Sequence, residues 1–417
     1  MGGPPGTVMG RTGAMVRVLL GWLMCLVALG AAPPAMALTI DSNAREIPLG
    51  AHYQIFEDAP ETLIIDDVAF GSAAGRFHPL NGGERPNLGY SESAFWLRVE
   101  LDNRLPGPSH WLLELPFPTL DEVQLYLVDR DAGEVLARYT VGDRLPFAER
   151  PYPHRNFVFP LTFPARHHLS LYLRVASQGS LTVASTLWPP DRFVLKSREA
   201  YMASALYFGI LGALLGYNLL LYFSLRERVY LYYVLFVGSM ALAQGAWHGL
   251  FFEYLWPGSP RWANVAVVVG FDLTGLFAVI FSRAFLHSAR YAPLLDRVMI
   301  ACLVVFAAVL LTFPLLSYQF HAMVTSFTGM SFSVVAVIGG LRVLLQGVRS
   351  ARFFLFAWTI LLVGTAALGA RNLGLVPTNV FTLHAMQIGS ALEMLLLSFA
   401  LAERIAELRR QKAISTP

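Results

Sequence analysis

Long uncharged apolar runs fill the C-terminal half of the chain. Residues 200–225 hold 26 positions without a charge, enough for a membrane-spanning helix of about 20 residues. Residues 298–341 hold 44 such positions, and one helix of that length would reach about 66 Å, twice the hydrocarbon core. This run must therefore fold back, with a turn at 314–319. The pattern predicts seven spans within 200–402, with six or eight left open: about 201–225, 229–252, 263–285, 298–316, 320–341, 353–373 and 380–402.

The N-terminal half has a different pattern. Short runs rich in branched and aromatic residues recur at 95–101, 111–115, 123–128 and 170–175, and several alternate apolar with polar positions. This period of two is typical of half-buried antiparallel strands. Proline and glycine clusters separate the runs, and no amphipathic helix is predicted between them. We therefore expect an all-β sandwich over about 38–195, followed by an all-α seven-helix transmembrane bundle.

The first 37 residues have the pattern of a signal peptide. Arg11 and Arg17 precede an apolar stretch at 18–29, and small residues at 35–37 fit a cleavage site before Leu38. The alternative is an uncleaved first helix, although this apolar stretch is shorter than a typical span. In both cases residue 38 emerges outside the cytoplasm. The two cysteines, Cys25 and Cys302, cannot build a disulfide framework.

Composition and charge agree with this division. The chain is 55% hydrophobic and 14% charged, which disfavours a purely soluble enzyme. Its net charge of +3 resolves into +2 for 1–37, −5 for 38–198 and +6 for 199–417. Twelve Lys and Arg residues lie in the predicted inner loops and the tail at 403–417, against Arg261 and Arg371 outside. The positive-inside rule then places the sandwich in the periplasm and the tail in the cytoplasm of a Gram-negative inner membrane. Nothing in the charge points to nucleic acid.

Ordered strings along the chain resemble a known family, the bacterial seven-transmembrane receptors with diverse intracellular signalling modules (7TMR-DISM). The strings are NLGYS at 87–91, FWLR at 95–98, GDRLPF at 142–147, PHRNFVFP at 153–160, YNL at 217–219, YLYY at 230–233, YLWP at 254–257, ARFF at 351–354 and QIGSALE at 387–393. The resemblance implies a type 2 extracellular sensor domain with a jelly-roll fold similar to carbohydrate-binding modules. It also implies a helical bundle that relays ligand occupancy inward.

The resemblance raises a question about output. Members of the family usually continue into a coiled coil and a histidine kinase, diguanylate cyclase or related module, whereas the last predicted span is followed only by residues 403–417. We therefore expect a separate cytoplasmic effector of the kinase or cyclase class. A truncated receptor is the alternative.

Sugar recognition uses flat aromatic rings and planar hydrogen-bonding side chains. Candidates for such a periplasmic, carbohydrate-like ligand are Trp96, Trp111, Tyr126, Arg150, His154 and Arg155. Trp96 and Trp111 also fit the core, since they lie in apolar strand patterns. Arg150, His154 and Arg155 surround prolines in a predicted loop, which favours a surface role.

Two carboxylates fall within predicted spans, Asp272 and Glu393. A carboxylate in hydrocarbon costs several kcal/mol unless it is neutralised, paired or hydrated, so both suggest a polar relay. The remaining members of that relay would be Asn218, Arg371 and Gln387. The alternative is that these groups only bond one helix to another.

Other function classes find less support. The chain contains no His-Glu-x-x-His string and no Gly-x-Ser-x-Gly elbow, so we predict no enzyme, no metal and no cofactor. A periplasmic binding or scaffold protein anchored in the membrane is the main alternative to a receptor, and a small-solute transporter is a further one. Membrane lipid surrounds the bundle in each case, and a homodimer stays open.

Overall fold

The computed structural model describes residues 37–41, 45–59, 61–80, 87–91, 93–313, 315, 317–372 and 380–415, with backbone alone at 87, 89–90, 180, 368–372, 380–383 and 405–415. The leader predicted at 1–37 falls outside this part except for Ala37.

The N-terminal region is a β-sandwich. Its strands are β1 (Leu38–Ile40), β2 (Ile47–Pro48), β3 (Gln54–Asp58), β4 (His78–Pro79), β5 (Asn87–Tyr90), β6 (Ala94–Asn103), β7 (Ser109–Leu115), β8 (Glu122–Asp129), β9 (Glu134–Val141), β10 (Phe157–Phe163), β11 (His168–Ala176), β12 (Ser180–Thr182) and β13 (Thr186–Trp188). One seven-stranded sheet has the order β4-β3-β6-β11-β8-β9, with β1 parallel to β6. A second sheet has the order β10-β7-β13-β2, and β12 pairs with β5.

The sandwich core lies between the two larger sheets. Alternate residues of each strand point inward, because successive side chains on a strand lie on opposite faces. Leu97 and Leu171 from the large sheet, and Leu113 and Phe159 from the small sheet, belong to one buried cluster. The opposite face of the large sheet is also covered, by a five-residue helix, α1 (Ile65–Ala69). No helix is predicted there, because five residues are too few to show a helical period.

The C-terminal region is helical. Its helices are α2 (Pro190–Leu225), α3 (Arg228–Trp247), α4 (Leu250–Tyr254), α5 (Pro260–Leu286), α6 (Ser288–Tyr291), α7 (Pro293–Thr312), α8 (Tyr318–Leu345), α9 (Ala351–Asn372) and α10 (Val380–Ser415). Within the described residues, six helices are long and apolar enough to cross a membrane: α2, α3, α5, α7, α8 and the part of α10 at His384–Arg404. The segment Ala351–Ala367 of α9 is apolar but shorter.

The seven long helices form a closed ring in which each packs on the next. The order is α2, α3, α5, α7, α8, α9 and α10, and α10 returns to α2. Aromatic side chains fill much of the interior, including Phe236, Phe281 and Trp358. This arrangement is the membrane bundle expected from the uncharged runs.

Two helices extend furthest beyond the predicted spans. Helix α2 begins at Pro190, whereas the span was predicted from residue 201, and its additional turns carry charged residues that pack under the sandwich. Helix α10 continues to Ser415, past the predicted end at 402. Hydropathy identifies the part of a helix that lipid can cover and not its polar extensions.

Candidate functional site

The sandwich meets the bundle through the loop that joins β9 to β10, residues 142–156. This loop rests on α4 and on the turns either side of it. The Phe147 amide donates to the Pro257 carbonyl (3.1 Å), and the Phe147 and Phe252 rings meet edge to face at 5.7 Å. We call this contact region the junction.

Gly249 allows the closest approach at the junction. Its φ is +71°, a left-handed conformation that side chains disfavour. A Cβ there would lie 2.8 Å from both the Arg155 carbonyl oxygen and the Pro118 Cβ. Glycine is therefore needed for conformation and for space.

Arg150 organises the loop from within. Its Nη1 donates to the carbonyl oxygens of His154 (2.8 Å) and Arg155 (2.6 Å). Its guanidinium also lies over the rings of Phe147, Phe157 and Phe252, at 4.7, 4.6 and 5.4 Å. Burial lowers the Arg150 pKa to about 10, which leaves the group charged at neutral pH. One cation thus holds loop, strand and helix α4 together.

His154 is fixed as one neutral tautomer. The Asn156 amide donates to Nδ1 (3.0 Å), so Nδ1 carries no proton and the Nε2 proton is donated to the Ser197 hydroxyl of α2 (3.0 Å). Burial lowers the His154 pKa to about 4, and the positive charges of Lys196 and Arg155 act in the same direction. The ring therefore links sandwich and helix as a neutral donor.

Arg155 reaches further along α2. Its Nη1 donates to the Ser204 hydroxyl (2.8 Å), and its guanidinium lies 5.1 Å from the centre of the Tyr201 ring. The Tyr201 hydroxyl in turn donates to Glu253 Oε2 of α4 (2.6 Å). A chain of polar contacts thus ties the loop to two helices.

An ion pair whose acidic partner is buried lies beside this chain. Glu114 of β7 accepts hydrogen bonds from Lys196 Nζ of α2 and from Asn156 Nδ2 (2.7 Å). The Glu114 side chain is almost fully buried. Removing one partner of such a pair leaves an uncompensated charge, so the contact fixes the position of α2 against the sandwich.

The start of α5 forms a second polar contact. Asn264 Nδ2 donates to Asp143 Oδ2 (3.1 Å) and to Asp121 Oδ1 (3.3 Å). Arg144 pairs with Asp121 at 2.7 Å. Burial and the nearby Asp121 charge raise the Asp143 pKa to about 7, whereas the Asn264 hydrogen bond acts in the opposite direction. Asp143 is thus poised to change charge near neutral pH.

The structure brings three predicted ligand residues together, but not on an open surface. Arg150, His154 and Arg155 are 8%, 3% and 9% exposed. The surface role predicted for them is wrong, because α2 and α4 cover the proline-flanked loop. Their hydrogen bonds go to the loop itself and to α2 rather than to solvent.

The aromatic candidates are buried as well. Trp96 and Tyr126 stack at 5.9 Å beneath α1, on the outer face of the large sheet. Trp111 lies between the sheets, where its ring stacks on Phe163 at 6.5 Å and its Nε1 donates to Ser109. None of the three presents a free aromatic face.

The predicted intramembrane relay is divided between two places. Asn218 of α2 donates to Ser398 of α10 (3.2 Å), near the buried Glu393. Asp272 of α5 lies elsewhere and accepts a bond from Thr325 of α8 (2.5 Å). Both Glu393 carboxylate oxygens and Asp272 Oδ2 lack a hydrogen-bond partner among the described residues. Gln387 Oε1 accepts from His384 Nδ1 (2.9 Å), and the Arg371 side chain lies outside the described residues.

One acidic cluster could in principle hold a cation. Ligand atoms of Asp129, Asp131 and His167 lie within 4.8 Å of one another. Asp129 already accepts from the amides of Asp131 and Ala132 and contacts His167 Nδ1 at 2.6 Å. These hydrogen bonds are typical of a turn, and they explain why the three side chains lie close together.

Sequence reasoning missed the helix side of the junction. Lys196, Ser197, Tyr201 and Asn264 lie just outside or at the edge of the apolar runs, where polar residues are expected for solvation alone. The signal that could have identified them is the high density of polar side chains directly before a span, at 196–201.

Comparisons with known proteins agree with this architecture. Residues 200–404 match the family model described as 7TM diverse intracellular signalling. Residues 50–189 match the model described as 7TMR-DISM extracellular 2. No curated protein matches the chain. The two matched regions coincide with the bundle and the sandwich, and the chain belongs to the 7TMR-DISM family of membrane receptors, with an extracellular sensor domain ahead of its helical bundle.

Proposed function

We propose that the chain is a bacterial inner-membrane receptor whose sandwich senses a periplasmic, carbohydrate-like ligand and whose bundle relays occupancy to a cytoplasmic effector. The observation that carries this proposal is the course of α2. Its 36 residues begin under the sandwich and end at the opposite side of the bundle. The Lys196 and Ser197 bonds attach the first turns of α2 to the sandwich, so a movement of the sandwich moves the helix.

Helix α10 is the natural recipient of that movement. Tyr207 of α2 bonds to Ser390 (3.0 Å), and Asn218 bonds to Ser398 (3.2 Å). Tyr233 of α3 donates to the Met394 carbonyl oxygen (2.6 Å). Glu393 lies at the level of these bonds, in the turn that contains Ser390 and Met394. Repacking α10 against α2 would exchange these hydrogen bonds for others. The contact between the two helices would then be the bistable element that a population shift requires.

We place the proposed carbohydrate-like ligand on the outer face of the large sheet. The stacked Trp96 and Tyr126 rings lie there, and planar donor groups surround them: Arg98 bonds to Gln54, and Tyr126 bonds to Gln124. Sugars bind to this combination of aromatic and planar polar groups. Ligand entry would require α1 and its flanking segment to move aside.

The effector, of the kinase or cyclase class, would dock on the basic face at the far end of the bundle. Arg352 pairs with Glu403 (2.6 Å), and the Arg404 guanidinium lies 5.6 Å from the centre of the Phe285 ring. These side chains gather where the apolar part of α10 ends, at Arg404. An effector there would read the position of that helix, with the tail in the cytoplasm as the positive-inside rule predicts.

The test uses the full chain in nanodiscs. A glycan array first identifies a bound sugar, and spin labels beyond residue 405 then report movement of α10 on adding that sugar. We expect Lys196→Met to keep sugar binding and to reduce the movement, while Arg192→Met, at an exposed position of the same helix, changes neither. Protein partners without any bound sugar would favour the scaffold alternative and contradict the proposal.

A further inference from the structure

A cavity of about 440 Å³ lies inside the bundle, directly beneath the sandwich. Six of the seven long helices line it, all except α2. Its roof is formed by the sandwich, through the loop residues Phe117, Thr119 and Gly179 and through Thr182 of β12. Its volume is in the range of pockets for small organic ligands, about 300–1,000 Å³. The cavity borders the junction, because its roof residues Phe117 and Thr119 flank Pro118, which packs against Gly249.

The chemistry of the lining disfavours an anionic ligand. Among the described residues that line the cavity there is no Asp, Glu, Lys, Arg or His. Aromatic, methionine and aliphatic side chains alternate with a few hydroxyls, such as Thr274, Thr325 and Ser333. Asp272 is close in sequence to this lining but bonds to Thr325 and does not belong to it. An anion would enter a low-dielectric site without a counter-ion, at a large desolvation cost.

One polar group in the lining has no partner. Trp358 of α9 is 2% exposed and packs against Phe236 and Phe332, and its Nε1 finds no acceptor among the described residues. A buried indole N–H usually finds one. Nε1 itself is covered, so an acceptor oxygen on a bound molecule would reach it once the neighbouring Phe236 or Phe332 ring shifts.

The cavity exists because small residues on the facing helices leave space between them. Gly275 of α5 admits the Phe306 ring, which a Cβ at that position would overlap. Gly329 of α8 lines the cavity, and a Cβ there would meet nothing within 4 Å. Larger residues at Gly329 would fill the space, so the cavity can be closed by substitution without a clash.

We infer that the bundle holds a second ligand site, which takes an uncharged, largely apolar molecule with one hydrogen-bond acceptor, of the size of a medium-chain alcohol or ketone. The apolar chain lies among the Phe and Met side chains, and the acceptor meets Trp358 Nε1. This goes beyond the proposed sensing by the sandwich. Since sandwich loops close the site, its ligand contacts both domains and biases the packing that the receptor uses for its relay.

The test is photolabelling of the full chain in nanodiscs. The probe is dodecan-1-ol that carries a diazirine in its chain, with plain dodecan-1-ol as competitor and mass spectrometry to map the labelled peptides. We expect saturable labelling on α5, α8 and α9. Gly329→Phe should weaken it by about tenfold, or about 1.4 kcal/mol, because the new ring would occupy space that the ligand fills. Gly209→Phe, an exposed helical glycine of α2 with equal open space, should leave it unchanged.

Two further measurements test the chemistry. Trp358→Phe keeps an aromatic ring but removes the N–H, so it should weaken the alcohol by about threefold and leave a diazirine alkane without the hydroxyl unchanged. Dodecanoate at pH 8 should compete poorly. Labelling that does not saturate, an equal effect of the two glycine variants, or equal competition by dodecanoate would each overturn the inference.

Discussion

Replacing Gly249 by alanine should loosen the junction without unfolding the bundle. The left-handed φ of +71° costs an L-residue about 1–2 kcal/mol. The new Cβ would also lie 2.8 Å from both the Arg155 carbonyl oxygen and the Pro118 Cβ, and relieving these contacts costs about 1–3 kcal/mol. The sum is about 2–5 kcal/mol, concentrated where loop 142–156 meets α4.

Hydrogen exchange can measure this cost locally. The Phe147 amide bonds to Pro257 across the junction, and the Arg155 amide bonds to Tyr201. We expect their protection factors to fall by about 30-fold or more in Gly249→Ala, since each 1.4 kcal/mol is a factor of ten. Amides in the centre of α5 should not change.

Gly258→Ala is the matched control. It lies in the turn that follows α4, its φ is not left-handed, and a Cβ there would meet nothing within 4 Å. It should leave both amides protected. The reasoning would be refuted if Gly249→Ala kept full protection, or if Gly258→Ala lowered it equally.

Three further predictions concern titratable groups. The His154 pKa is about 4 in the fold and about 6.5 in an unfolded chain, so its contribution is complete above pH 6.5 and is lost as pH falls toward 4; thermal melts should show this slope reduced in His154→Asn. The Asp143 pKa is raised to about 7, so stability falls as pH rises from about 4 to 7, and Asp143→Asn should melt higher than the native chain at pH 8 but not at pH 4. Glu393→Gln replaces a buried carboxyl that has no hydrogen-bond partner among the described residues by a neutral group of the same shape, and should shift the Tm by less than about 3 °C; a much larger loss would indicate that the charge is paired.

The sequence predicted the two-part architecture because both parts have strong local signals. Alternation along 95–101 reflects one face in the core and one outside it, and the uncharged runs reflect helices in lipid. The start of α2 was missed because Lys196 and Glu199 make its first turns too polar for a span. Helix boundaries set by polar docking leave no hydropathy signal.

The junction could not be predicted for a different reason. Arg150 is buried by Phe252, about a hundred positions further along the chain. From the local sequence, a charged residue between prolines is expected to be solvated. Its actual partners come from distant parts of the chain and are visible only in the tertiary structure. The same holds for Trp96, whose exposure depends on whether α1 covers it. The chemistry of these residues can be predicted from the sequence, but the groups that pack against them cannot.

The unbroken length of α2 determines how a movement of the sandwich would be transmitted to the opposite side of the bundle. The helix has no internal proline beyond its first turn and runs for 36 residues, about 54 Å at 1.5 Å per residue. Such a rod amplifies angle into distance: pivoting about its upper end by about 4° sweeps its lower end through about 4 Å. Arg226, which ends the helix, would travel that distance while every backbone hydrogen bond of α2 stayed intact. The receptor can therefore work as a lever that needs no refolding.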